Sequence, residues 1–211
     1  MPSRRRFLAS FAVGYAVGSI PVGVLVGRLT RGIDPREYGS HSMGMANVLR
    51  TAGRGPAAIT LALDIAKGAL AARAGQGVCG TREGAVAAGL GAVVGHSWPV
   101  WAGFRGGKSS ATTFGASLVV SPPVAASALV AGLAALAVSR RTSVLSLVGG
   151  GAGAATSLAL AAGRRDLTPL ALVVPGVAVV VVRHRDNIIR LVRGTEPEVS
   201  LGDPPAVNAG A

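Results

Sequence analysis

Charged residues along this chain fall into short clusters, and the segments between the clusters carry almost none. Residues 124–138, 144–160 and 170–182 contain no Asp, Glu, Lys or Arg. A soluble surface does not tolerate such runs so often, whereas a bilayer requires them. The apolar runs predict helical spans near 7–27, 55–73, 84–101, 109–120, 122–138, 144–162 and 168–183, seven in all. The uncharged stretches are shorter than the roughly 20 residues a straight span needs, so each must borrow length from Gly, Ser and Pro at its ends. Between 109 and 138, Ser121-Pro122-Pro123 splits what would otherwise be one long helix, because proline removes a backbone donor and restricts the residue before it.

The expectation is therefore an all-α polytopic membrane protein with about seven transmembrane helices. The basic residues test that count, because Lys and Arg concentrate on the cytoplasmic side. With seven spans, 13 cations fall on one side and 7 on the other, which puts the N-terminus outside and the C-terminus in the cytoplasm. Six spans sort the charges less well. Residues 1–193 read as a single transmembrane domain, and the Pro-, Gly- and Glu-rich stretch 194–211 reads as a disordered tail. Ser3-Arg4-Arg5-Arg6-Phe7-Leu8 resembles a twin-arginine export signal, but cleavage near Ala16-Val17-Gly18 would cut the first span in half, so the segment is kept as a helix.

Composition adjusts this picture in two respects. Half the residues are apolar, with abundant Gly and Ala, which suits close helix packing in lipid; Gly14 with Gly18 and Gly149 with Gly153 are candidate contact points. A net charge of +12 would suggest nucleic acid in a soluble protein, but here the cations lie between apolar runs and few aromatics are available to stack bases. Anionic lipid headgroups and phosphorylated substrates are the expected partners, and nucleic acid is not. The single Cys79 has no intrachain disulfide partner, and no metal-ligand cluster accompanies it.

Four polar clusters share the predicted cytoplasmic side: the Gly- and Ser-rich loop 39–50, residues 104–112 with Gly106-Gly107-Lys108, residues 139–143, and residues 183–187. Glycines allow backbone amides to converge on an anion, and a lysine beside a helix start adds a full charge, so this set reads as a phosphate site that needs no metal. Asp64 and Lys67 lie within a span, three residues apart on one helix face. Mutual pairing is the first reading, and a substrate contact or proton path the alternative.

Gly18-Ser19-Ile20-Pro21, the 40–50 loop, Asp64-Ile65-Ala66-Lys67-Gly68, Gly95-His96 with Pro99, Gly106-Gly107-Lys108, Ser143, and residues 184–187 resemble, in order, the motifs of the bacterial acyl-phosphate:glycerol-3-phosphate acyltransferases of the PlsY type. The resemblance implies a multi-pass enzyme of the bacterial plasma membrane. It would transfer a fatty acyl group from acyl phosphate to the 1-hydroxyl of glycerol 3-phosphate, giving lysophosphatidic acid without a cofactor or metal. It also implies catalytic roles for Ser40, Arg50, Lys108, His184 and Asn187, and substrate binding by Asn47, Ser143 and the backbone of Gly106 and Gly107. A His followed five residues later by Asp, the mark of another acyltransferase class, is absent: Ala46, Trp101 and Ile189 follow His41, His96 and His184 at that spacing.

Two departures stand out. Family members usually read Gly-Ser-Gly-Asn-Ile-Gly-Ala-Thr-Asn in the first loop, where this chain has His41, Ser42, Met45 and Ala46 in place of Gly, Asn, Ala and Thr. After Lys108 the usual Gly-Val is Ser109-Ser110. These changes keep open a second class of function, a non-catalytic membrane protein that binds or carries a phosphorylated small molecule. The sequence leaves the oligomeric state undetermined.

Overall fold

The computed structural model describes residues 3–200 and is helical throughout, with no strand among those residues. Helix α1 (Arg4–Gly18) starts at Ser3, whose hydroxyl caps the Arg6 amide, and α2 (Val22–Arg31) continues it beyond Pro21. A short helix α3 (Met45–Ala52) follows a loop, and Gly53 turns the chain into the long α4 (Arg54–Cys79). Then come α5 (Arg82–Ser97), α6 (Ser110–Val120), α7 (Pro122–Ser139), α8 (Thr142–Arg164), α9 (Thr168–Arg183) and α10 (Arg185–Val192).

Each apolar run expected to be a span coincides with one of these helices, except the first, which holds α1 and α2, and the break at Ser121-Pro122-Pro123 falls between α6 and α7 as read from the prolines. Length separates them. Among the described residues, four helical units are long and apolar enough to cross a bilayer: α1 with α2 as one 28-residue unit, α4, α7 and α8. The pair α9 and α10, bent by 63°, counts as a fifth only when the two are taken as one span. The remaining two, α5 with 16 residues and α6 with 11, fall short. For α5 the reason is packing: Ala85, Ala87, Ala88, Ala92 and Val93 are all buried, so this helix meets protein over most of its surface.

Small residues create that packing. A Cβ on Gly14 or Gly18 of α1 would lie 2.0 or 2.3 Å from the carbonyl oxygens of Ala88 and Ala92 on α5. Gly91 and Gly95 of α5 face Phe11 and Tyr15 of α1 equally closely. Two backbones in such contact exclude any side chain at the crossing. Gly149 and Gly153 of α8 similarly pack on Ala128 of α7. Deeper in the bundle, Ala72, Val86, Ala116, Val120, Val124, Leu172 and Val173 form an apolar core joining α4, α5, α6, α7 and α9.

The first residues of the stretch 194–211 make defined polar contacts. Val199 donates its amide to the Arg140 carbonyl at 2.7 Å, and Glu196 is buried. Residues 194–200 thus cross from α10 to the α7–α8 connection, held by polar bonds that composition does not reveal; 201–211 lie outside the described residues.

Candidate active site

The four polar clusters come together at one end of the bundle, around two adjoining cavities. The larger, about 300 Å³, begins among Ser40, Arg50, Lys108, Ser143, His184 and Asn187 and runs down between α6, α7, α8 and α9 past Leu129, Gly150 and Val177. Its lower wall is apolar. The second, about 280 Å³, is polar and is lined by His41, Trp98, Arg183, Arg185 and Asp186. Ser40, Ser42 and Lys108 line both.

Asn47 organises the first loop. It is 1% exposed, and its amide group donates to the carbonyls of Pro35, Tyr38 and Ser42 while its oxygen accepts the Ser40 amide at 2.8 Å. With its polar atoms bonded within the loop, Asn47 positions Ser40. His41 adopts φ 54°, the left-handed region that disfavours side chains, and its Nδ1 lies 3.0 Å from the Arg36 carbonyl oxygen. This explains why a glycine is usual there.

The second cluster is held from both sides. Gly107 donates its amide to the His96 carbonyl at 2.9 Å. Arg183 donates to the carbonyls of Gly107 at 2.9 Å and Gly106 at 3.2 Å, with its guanidinium 5.7 Å from the Trp98 ring centre. The Gly107 amide is occupied, and neither glycine lines either of the two cavities described. Glycine is required here by close approach, since a Cβ on Gly106 would lie 2.2 Å from the His96 carbonyl oxygen. Ser109, at φ 62°, occupies the other position where glycine is usual; its hydroxyl bonds the Val93 carbonyl at 2.7 Å and pairs with Ser97 at 2.5 Å.

Lys108 emerges from this loop and donates to Asn187 Oδ1. Asn187 in turn donates to Glu196 Oε1 at 2.6 Å, and Arg190 donates to Glu196 Oε2 at 2.7 Å. Burial pushes the Lys108 ammonium down to about 8; Glu196 opposes this, and Arg190, Arg50 and Arg183 reinforce it. Burial, with Lys108 nearby, takes His184 down to about 4, so it is neutral near pH 7. Its Nδ1 lies 2.8 Å from the Val180 carbonyl oxygen, an acceptor, so Nδ1 carries the proton and Nε2 is left as an acceptor. Burial alone would raise the Glu196 carboxyl, but the bonds from Asn187 and Arg190 outweigh it and hold the group below its ordinary range.

A site of this kind, cations and neutral polar groups at the head of an apolar channel, is suited to an amphiphilic phosphate. The glycerol-3-phosphate acyltransferase family matches the chain over residues 8–194. The chain belongs to that family. It is 44% identical over 203 residues to the glycerol-3-phosphate acyltransferase of Gloeobacter violaceus, covering 94% of this chain and 97% of the relative. With that of Symbiobacterium thermophilum it shares 45% over 199 residues, covering 94% and 98%. Crystal structures of PlsY, an integral membrane glycerol 3-phosphate acyltransferase, superpose with TM-scores of 0.82 for the glycerol 3-phosphate form and 0.80 for the lysophosphatidic acid form, at 31% and 30% identity. Each alignment covers 92% of this chain and 96% of the other.

Six of the nine candidates read from the sequence of this acyltransferase, Ser40, Arg50, Lys108, Ser143, His184 and Asn187, line the larger cavity together. Asn47 also borders it but with its side chain committed to the loop. Sequence reasoning missed Glu196, which holds Asn187 and Arg190, because an acid in a Pro- and Glu-rich stretch carries no periodicity. It also treated Arg183 only as one of a basic cluster. Asp64 and Lys67 do pair, at 2.9 Å, and both are buried.

Proposed function

We propose that this protein transfers a fatty acyl group from acyl phosphate to the 1-hydroxyl of glycerol 3-phosphate, releasing phosphate and leaving lysophosphatidic acid in the membrane. The observation that carries the reading is the meeting of an apolar and a polar cavity at Ser40, Ser42 and Lys108. The acyl chain occupies the apolar cavity, with its phosphate at the polar head; glycerol 3-phosphate enters the polar one. Lys108 at the junction reaches both anions, while Arg50 and Ser143 serve the acyl phosphate and Arg183 the incoming phosphate.

The chemistry asks little of the protein beyond alignment and charge. An acyl phosphate is a mixed anhydride, so the hydroxyl oxygen bonds to the acyl carbon as the bond from that carbon to the phosphate oxygen breaks. The departing phosphate is itself basic enough to take the hydroxyl proton. His184, at about 4, is too weak to act as the principal base near neutral pH. Its Nε2 instead accepts from the glycerol hydroxyl and orients it. Asn187, fixed by Glu196, orients Lys108.

The charge distribution and the one helical unit per apolar run, α1 with α2 counting as one, support seven membrane passages, with the N-terminus outside and the site facing the cytoplasm of a bacterial plasma membrane. In that reading the short α5 and α6 cross where the surrounding helices shield them. A carrier role has less support, because the intramembrane charges that suggested it are paired with each other. The test is phosphate release from acyl phosphate by the purified protein. Dependence of release on glycerol 3-phosphate, with one lysophosphatidic acid formed per phosphate, is expected; release without that dependence, or counterflow with no acyl product, would exclude the reaction.

A further inference from the structure

The buried charges of α4 and the histidine that ends α5 have no part in the reaction as described, yet they connect to it. Asp64, Lys67 and His96 are 2%, 5% and 2% exposed. Asp64 Oδ1 lies 2.9 Å from Lys67 Nζ and 3.4 Å from His96 Nδ1, and Lys67 also donates to the Ile20 carbonyl at 3.0 Å. Two ionised groups removed from water are at best weakly stabilising compared with apolar side chains of similar size, so packing alone is a poor account of this pair.

The far edge of the His96 ring offers a better one. A Cβ built on Gly107 would lie 2.1 Å from His96 Nε2, with Cδ2 and Cε1 at 2.9 and 3.0 Å. His96 therefore holds Gly107 twice, through its carbonyl oxygen and through direct contact with the imidazole. The opposite side of the same loop carries Arg183, bonded to the carbonyls of Gly106 and Gly107. Lys108 is the next residue. Any rotation of the imidazole displaces Gly107 and with it Lys108 and Arg183, two of the cations that face the polar cavity.

We propose that Asp64 and His96 are positioning residues: the carboxylate fixes the imidazole, the imidazole fixes Gly107, and the loop thereby places Lys108 and Arg183 for the phosphate of glycerol 3-phosphate. Lys67 neutralises Asp64 within the bilayer. The proposal rests on the acyltransferase reading above; Asp64, His96 and Lys108 also line the head of the larger cavity, so the loop bears on both phosphates, while the apolar wall that holds the acyl chain lies away from it on α7, α8 and α9.

Steady-state kinetics of the purified protein, with thermal unfolding in detergent as the measure of folding, test it. His96→Ala should raise KM for glycerol 3-phosphate about tenfold or more, with the relative kcat/KM of long and short acyl phosphates, set by the apolar wall, changing less than about threefold. Gly107→Ala should do the same, because its methyl meets the imidazole. The double variant should be no worse than His96→Ala alone, since removing the ring removes the clash. Losses that multiply in the double variant, or an unchanged KM for glycerol 3-phosphate in a folded His96→Ala protein, overturn the proposal.

If His96→Ala does not fold, Asp64→Asn with Lys67→Met retains an acceptor for the imidazole and should keep a near-normal KM. Asp64→Leu with Lys67→Met removes that acceptor and should raise the KM about tenfold. Equal KM values in these two variants also overturn it. A wild-type protein whose turnover ignores glycerol 3-phosphate instead refutes the acyltransferase reading.

Discussion

Lys108 gives the sharpest test of the site's electrostatics. In the free enzyme its ammonium sits at about 8 against an ordinary 10.5, chiefly through burial and then through Arg190, Arg50 and Arg183, with Glu196 pulling the other way. A lysine lowered in this way is a cation below about pH 8 and loses its charge above it. The pH dependence of kcat/KM reports free-enzyme groups, so kcat/KM for glycerol 3-phosphate should fall on the alkaline side with a midpoint near 8. At one pH unit above the midpoint about one-tenth of the cation remains, and the loss is about tenfold. Continuous phosphate release from acyl phosphate between pH 6.5 and 10, corrected for spontaneous hydrolysis, measures this. Lys108→Arg keeps its charge throughout that range and should show a lower but flat profile. A wild-type profile that stays level to pH 10, or an alkaline fall that survives in Lys108→Arg, would refute the assignment of that limb to Lys108. Thermodynamics supplies a second reading of the same number: the lowered value corresponds to about 3 kcal/mol of unfavourable environment for the cation. Because the charged form is the disfavoured one in the folded state, this cost is present below about pH 8 and disappears as pH rises toward 10.5. Lys108→Met should therefore stabilise the unliganded protein at pH 7 by about 2 kcal/mol, after allowing about 1 kcal/mol for the lost bond to Asn187, while abolishing turnover.

Other consequences can be checked separately. Glu196→Gln removes the attraction that supports the Lys108 cation, so the alkaline limb should move to lower pH, and activity should fall as Asn187 and Arg190 lose their anchor; an unmoved limb contradicts the coupling. His41→Gly relieves a left-handed backbone position and should raise stability by about 0.5 kcal/mol, read as a small rise in Tm. Ser109→Gly relieves a similar strain but deletes two buried hydrogen bonds and leaves Ser97 without this partner, so a net loss of about 1 kcal/mol is expected. Gly150 faces the apolar cavity, where a Cβ would stand 3.4 Å from Val177; Gly150→Leu should fill the channel and lower kcat/KM for long acyl phosphates relative to short ones by about tenfold, measured by direct competition.

The linear order of apolar and polar residues determined the broad architecture. Helices are satisfied by their own backbone hydrogen bonds, so an uncharged run that must reside in lipid has little choice of structure, and prolines at 122 and 123 fix a boundary without help from distant residues. The chemistry of the site was legible for a related reason: Ser40, Arg50, Lys108, Ser143, His184 and Asn187 belong to polar clusters between apolar runs, where a polar side chain in a membrane protein stands out. Their surroundings are built by contacts across long sequence distances. Asn47 reads from the sequence as a ligand, and the structure shows its amide group bonded to carbonyls of its own loop. Gly106 and Gly107 read as an anion cradle, and only the tertiary structure shows the close approach of His96 and Arg183 to them. Glu196 lies in a segment whose composition predicts disorder, and Asn187, Arg190 and Arg141 bond to it from helices that the local sequence cannot see. Hydrophobic periodicity is a local property and could be read in sequence; hydrogen-bond partnership and close approach are properties of the packed bundle, and only the tertiary structure decided them.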